Sequence, residues 1–226
     1  KAVDKGINTL VVHEPAFYSH WDLDAENPEY TRKTATGKQA YLEAIEEKKN
    51  WINDRGLVII RCHDVLDIVP EFGIPYAFGR ALGFSNYDII GSKKYYNVYR
   101  LAETAPAIKV TEKIAASLRI VDQPGVAFYG DPEHPVRSVG LGTGCACDPL
   151  DFMDLGADLY IGIDDTIRTW TQTTFAEDTG LPLIVINHGT SEEFGMRSLN
   201  RKLRESFPDF AVEHLPQGCG YRWVTA

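Results

Sequence analysis

Residues 181–203 read LPLIVINHGTSEEFGMRSLNRKL. An apolar, β-branched run ends at Asn187-His188-Gly189 and a helical pattern begins within three residues, so the segment is a strand, a tight turn and a helix. In an open α/β sheet the crevice beyond the carboxyl ends of the strands collects ligands, because helix amino termini and strand-end side chains converge there. Thr190 is placed to cap the helix, and Glu193, three residues on, to complete a capping box, which gives Glu193 a structural task. Glu192 has no such task. His188 and Glu192 stand at i and i+4, a spacing that brings an imidazole and a carboxylate onto one side of a turn, as a metal site requires. Taken alone, the same pair also suits the capping and solvation of a helix start.

Two earlier strands end in the same way. Residues 8–12 (NTLVV) form a short apolar strand that runs into His13-Glu14-Pro15, where proline stops it. Residues 57–62 (LVIIRC) form a buried strand that delivers His63-Asp64-Val65-Leu66-Asp67. Three strands thus each supply a histidine at once, and a carboxylate beside it or four residues later, in a chain with only six histidines. Because side chains alternate along a strand, adjacent His13 and Glu14 are expected to point apart and to serve two neighbouring ions better than one. Residues 17–36, with Tyr18, His20, Trp21 and Asp22, lack a clean period and read as a long loop. A loop of that length in a compact domain serves as a lid or binding loop, with His20 and Asp22 as further ligand candidates, or is simply solvated.

The rest of the chain alternates strand and helix. Residues 1–6 read as the tail of a helix closing on Gly6, and an α/β unit is expected to carry a strand and helix before it. Residues 37–55 suit an amphipathic helix whose outer face carries a solvated run of Glu and Lys. A short helix over 76–82 and a crossing segment over 85–109 lead to a helix over 110–118. Strands follow at 126–130, 136–141, 159–163, 183–186 and 210–214, separated by helices at 149–155, 165–177 and 192–207. This order predicts an α/β fold with largely parallel, mixed sheets and flanking helices, as one domain of two lobes, about 1–100 and 101–226. Gly142-Thr143-Gly144 suits either a phosphate cradle or an ordinary tight turn.

Composition narrows the function. The chain has 226 residues, enough for a sizeable core, and no apolar run approaches the roughly 20 residues that span a bilayer. A net charge of −9 argues against nucleic acid as a partner and suits small cations. The four cysteines lack zinc-finger spacing, and Cys145-Ala146-Cys147 is too tight for an ordinary disulfide framework, which points to a reduced, cytoplasmic setting.

In chain order, HEP at 13–15, HDVLD at 63–67, GTG at 142–144, ADLYIGID at 157–164 and NHGTSEEFG at 187–195 resemble the Nif-three-like family. This family comprises dinuclear-metal, ring-forming hexamers often labelled GTP cyclohydrolase I type 2. The resemblance implies a Nif-three-like fold of two similar lobes over 1–226, lacking the family's usual amino-terminal segment and the inserted domain of larger members. By similarity, His13, Asp67, His188 and Glu192 are metal ligands, with Glu192 bridging two ions and His63 lining or supporting the site. Glu14 fills the second slot of a pair that is usually His-His, which shifts the preference toward Mn, Fe or Zn. Asp164 stands where the family usually has a glutamate. Two divalent ions, Fe, Mn or Zn, imply hydrolysis of a small molecule, a nucleotide or phosphoester, with His63, Asp64 or His20 moving the proton. The alternative from another class is a metal-binding or regulatory scaffold hexamer without turnover.

Overall fold

A computed structural model describes residues 1–20 and 33–224. Trp21 and Asp22 lie outside the described residues. The chain divides into two compact units, Lys1–Asp64 and Val65–Ala226.

In the first unit, strand β1 (Thr9–Val12) pairs in parallel with β2 (Val58–Arg61), from Thr9 opposite Val58 to Val12 opposite Arg61. Helix α1 (Ala35–Asp54) lies between them in the chain. Thr34 caps it, its hydroxyl accepting from the Gly37 N–H at 3.2 Å, and Ile45 is its buried residue. The charged face read from the sequence is exposed. The run 57–62 does not form a strand buried on both faces. Val58 and Ile60 are 53 % and 50 % exposed, because a strand alternates its side chains and, among the described residues, this sheet has two strands.

The second unit is built on a six-stranded sheet in the order β3-β4-β6-β7-β8-β5, where β3 is Ile89–Lys93, β4 Tyr96–Pro106, β5 Ala127–Tyr129, β6 Pro135–Gly142, β7 Leu159–Ile163 and β8 Leu183–Ile186. The fold is mixed α/β, as expected. The pairs β6-β7 and β7-β8 are parallel, and the three outer pairings are antiparallel. The hairpin β3-β4 occupies the stretch read from sequence as a crossing segment. Tyr96, Val98 and Tyr99 on β4 are fully buried there, so its aromatic content is core rather than connection.

Five helices complete the list: α2 (Asp64–Ile68), α3 (Ile74–Ala81), α4 (Ala107–Leu118), α5 (Thr174–Thr179) and α6 (His188–Ser206). Residues Pro149–Leu155 form a 3-10 helix, and α5 is preceded by a π-helical turn at Thr169–Thr173. The expected strand over 210–214 is absent. Phe210 is 71 % exposed, and His214 instead turns back to Glu193, its Nε2 3.2 Å from Oε1. The parallel strands β6, β7 and β8 end side by side at Gly142, Ile163 and Ile186, which sets Thr143, Asp164-Asp165 and Asn187-His188 at one edge of the sheet.

Candidate metal centre

Each unit carries metal-ligating side chains. In the first, His13 and Glu14 follow β1 and His63 follows β2. One donor atom from each of His13, Glu14 and His63 falls within 4.8 Å of the others. Strand β1 ends at Val12, so His13 and Glu14 lie beyond the ladder, the first buried and the second exposed. The imidazoles of His13 and His63 stack with centroids 4.3 Å apart and planes at 14°. His20 meets the His63 ring edge-on at 5.1 Å, and its Nδ1 accepts from the Arg61 guanidinium at 3.0 Å.

The other set lies in the second unit. His188 opens α6, and its Nε2 is 2.6 Å from Glu192 Oε1, one helical turn on. Asp67 on α2 is buried and accepts from the Thr143 hydroxyl at 2.9 Å. Gly144 (φ 48°) lies so close that a Cβ there would stand 3.0 Å from His188 Nε2 and 3.1 Å from Glu192 Oε1. The glycine turn therefore backs this donor pair. Cys147 beneath it is fully buried, and burial pushes its thiol well above the usual range, with Cys145, Glu192 and Asp67 adding to the effect. It stays a neutral thiol.

The three strand-end histidines share one orientation. The Nδ1 of His13 is 3.1 Å from the Cys62 carbonyl, that of His63 is 2.7 Å from Asp64 and that of His188 is 2.5 Å from Asp165. Carbonyl and carboxylate oxygens accept, so each Nδ1 donates its hydrogen, and Glu192 likewise accepts from the Nε2 of His188, where a bound metal would take the place of that hydrogen. The Nε2 of His63 is 3.5 Å from Glu14, and that of His188 faces Glu192. An imidazole oriented by an oxygen at one nitrogen and turned to a carboxylate at the other is the arrangement a metal-binding histidine needs. Nitrogen and oxygen donors together suit Zn, Mn or Fe.

A family model described as Duf34/NIF3 (NGG1p interacting factor 3) matches residues 1–217. The chain belongs to the NIF3 family. A protein of Neisseria meningitidis serogroup B named GTP cyclohydrolase 1 type 2 homolog is 26 % identical over 215 residues, covering 91 % of this chain and 74 % of the relative. Among solved structures, a hypothetical protein of Staphylococcus aureus is similar with a TM-score of 0.68 at 17 % identity, covering 92 % of this chain and 75 % of that one. A Bacillus cereus protein related to NIF3 is similar with a TM-score of 0.67 at 14 % identity, covering 92 % and 79 %. The last two share the fold.

Within this NIF3 chain the two adjacent glutamates divide differently from the capping-box expectation. The cap of α6 is Asn187, and Glu193 is a buried anchor. It accepts from the backbone N–H groups of Gln217 and Gly218 at 3.1 and 3.2 Å, and pairs with Arg197 and His214, each at 3.2 Å. Helix α6 begins at His188, four residues before the predicted start, because its first N–H groups find partners outside the helix: Asp164 Oδ1 accepts from the His188 N–H at 3.0 Å. The other Asp164 oxygen accepts from the Asn187 amide and the Tyr221 hydroxyl, both at 2.9 Å. Asp164 is thus tied to backbone and phenol at the helix start. Asp165, which orients His188, was not among the sequence candidates. Its signal was a second carboxylate directly after a strand that ends beside β8. Asp64 is exposed, and its hydrogen bond with His63 holds its carboxyl below the usual range, so it is an ionised and weak base near neutrality. Among the described residues no helix is long and apolar enough to cross a membrane.

Proposed function

We propose that this chain binds two divalent metal ions and hydrolyses a nucleotide or another phosphoester-type small molecule. The observation that carries the reading is the shared orientation of His13, His63 and His188, each with Nδ1 on an oxygen and the latter two with Nε2 turned to Glu14 and Glu192. One ion is assigned to His13, Glu14 and His63, and the other to Asp67, His188 and Glu192. The family resemblance implies two ions, with Glu192 as a bridging ligand.

Such ions supply a water of lowered pKa and stabilise charge on a reacting oxygen. The residues of this chain orient that chemistry. Cys62, Asp64 and Asp165 fix the tautomers of the three imidazoles. Thr143 holds one oxygen of Asp67, and Asp164 holds the backbone from which His188 projects. His20, the titratable ring that meets His63 edge-on beside the first set, is the group assigned to proton transfer.

The relative's name, GTP cyclohydrolase 1 type 2 homolog, points to a purine nucleotide as the first substrate to try. A panel of nucleotides is incubated with protein loaded with Mn, Fe or Zn. Release of inorganic phosphate or of a ring-opened product that depends on added metal supports the reading. Bound metal with no turnover across the panel would favour the scaffold alternative. By resemblance the assembly is a homohexamer, and sedimentation as a monomer would count against that part.

A further inference from the structure

Residues 217–221 are tied at successive points to α6, its cap and the segments beside them. Glu193 accepts from Gln217 and Gly218, the Cys219 N–H donates to the Val121 carbonyl at 2.9 Å, and the Gly220 N–H donates to Asn187 Oδ1 at 2.7 Å. Next, the Tyr221 hydroxyl donates to Asp164 Oδ2 at 2.9 Å. Beyond that anchor Tyr221 and Trp223 stand edge to face, with centroids 5.6 Å apart and planes at 73°, and remain 46 % and 45 % exposed.

Exposed aromatic rings are ordinary on a protein surface. These two are set apart by their attachment. Tyr221 is bonded to the carboxylate whose other oxygen accepts from the His188 backbone, so the ring pair begins one side chain away from a candidate metal ligand. Burial, and then Asp164, push the Tyr221 phenol far above its usual range, so it stays a neutral donor and holds position rather than exchanging protons. The result is an uncharged pair of rings, nearly perpendicular to each other and anchored through Tyr221 beside an imidazole-carboxylate set, in a chain of net charge −9. A flat, weakly charged ring suits such a surface, because base-aromatic stacking does not depend on net charge.

We propose that Trp223, set edge to face against the anchored Tyr221, offers a stacking surface for the base of a nucleotide whose phosphate end lies toward His188. The proposal rests on the metal-dependent nucleotide reading above and assigns to this chain the residue that recognises the base.

The test is calorimetric titration of the full, Mn-loaded chain with guanosine 5′-monophosphate and with ribose 5-phosphate, which lacks the base. The monophosphate is expected to bind about tenfold or more tightly than the sugar phosphate. Trp223→Leu is expected to erase that difference and Trp223→Phe to keep most of it, with metal content and ribose 5-phosphate affinity unchanged in both. Equal affinity for the two ligands on metal-loaded protein, or a difference that survives Trp223→Leu, overturns the stacking surface. Protein that takes up no Mn and binds neither ligand overturns the metal reading beneath it, and metal analysis of the same samples separates the two failures.

Discussion

Glu192 and Glu193 are adjacent in the chain and both buried, at 5 % and 3 % exposure, but they face different partners. Glu193 holds two backbone N–H groups, an arginine and a histidine. Glu193→Ala leaves those donors unsatisfied and is expected to cost about 3 kcal/mol in chemical denaturation, well above the roughly 1 kcal/mol of a lost helix cap. Glu192→Ala is expected to release most bound metal while keeping the larger part of the stability. Equal metal content in the two variants would remove Glu192 from the ligand set. Asp165→Asn leaves His188 in place but weakens the acceptor at its Nδ1, so metal affinity in competition with a chelator should fall about 10- to 100-fold. An unchanged affinity would make Asp165 incidental. At this scale the sequence showed histidines and carboxylates at three strand ends. It did not show which carboxylate each one serves, because Asp165 and Glu14 act through turn geometry beyond the last paired residue of the strand. Capping-box spacing misassigned Glu193 because three of its partners, His214, Gln217 and Gly218, lie more than twenty residues away in the chain.

At the scale of elements, β7 and β8 were legible to the residue, since short β-branched runs bounded by glycine or acidic turns have few other readings. The hairpin β3-β4 was not, because its tyrosines sit among charges and carry no clean alternation. Its packing is nonetheless specific. Tyr99 donates to the Pro75 carbonyl and accepts from Asn97, and burial pushes its phenol up to about 12 from an ordinary value of 10. The folded state therefore keeps its proton where the unfolded chain loses it. That contribution is complete below pH 10 and is lost as pH rises toward about 12. The stability difference between the protein and Tyr99→Phe should shrink across that window, and a constant difference would count against the burial of the phenol. Helices α3 and α6 meet at Gly195, where a Cβ would stand 2.3 Å from Ile74 Cγ1. Gly195→Ala is expected to destabilise by about 1–3 kcal/mol, and to cost less in a chain that already carries Ile74→Ala, which removes Cγ1. Additive effects of the two substitutions would mean that the contact is not tight.

For the whole molecule, membership of the NIF3 family and a mixed α/β architecture frame two donor sets, one in each compact unit. Ordered strand-end motifs made the family and the class legible, because they recur at the points where a sheet must present side chains. Composition could say only that an acidic chain suits cations. The central claim is that the two sets hold metal, and it is tested most directly by elemental analysis per chain of protein purified without chelator or nickel affinity. The account predicts about two equivalents of Fe, Mn or Zn, with the loss concentrated in Glu192→Ala and spared in Glu193→Ala. No bound metal, even after reconstitution with each of the three, would contradict it and leave the three oriented histidines as structural side chains.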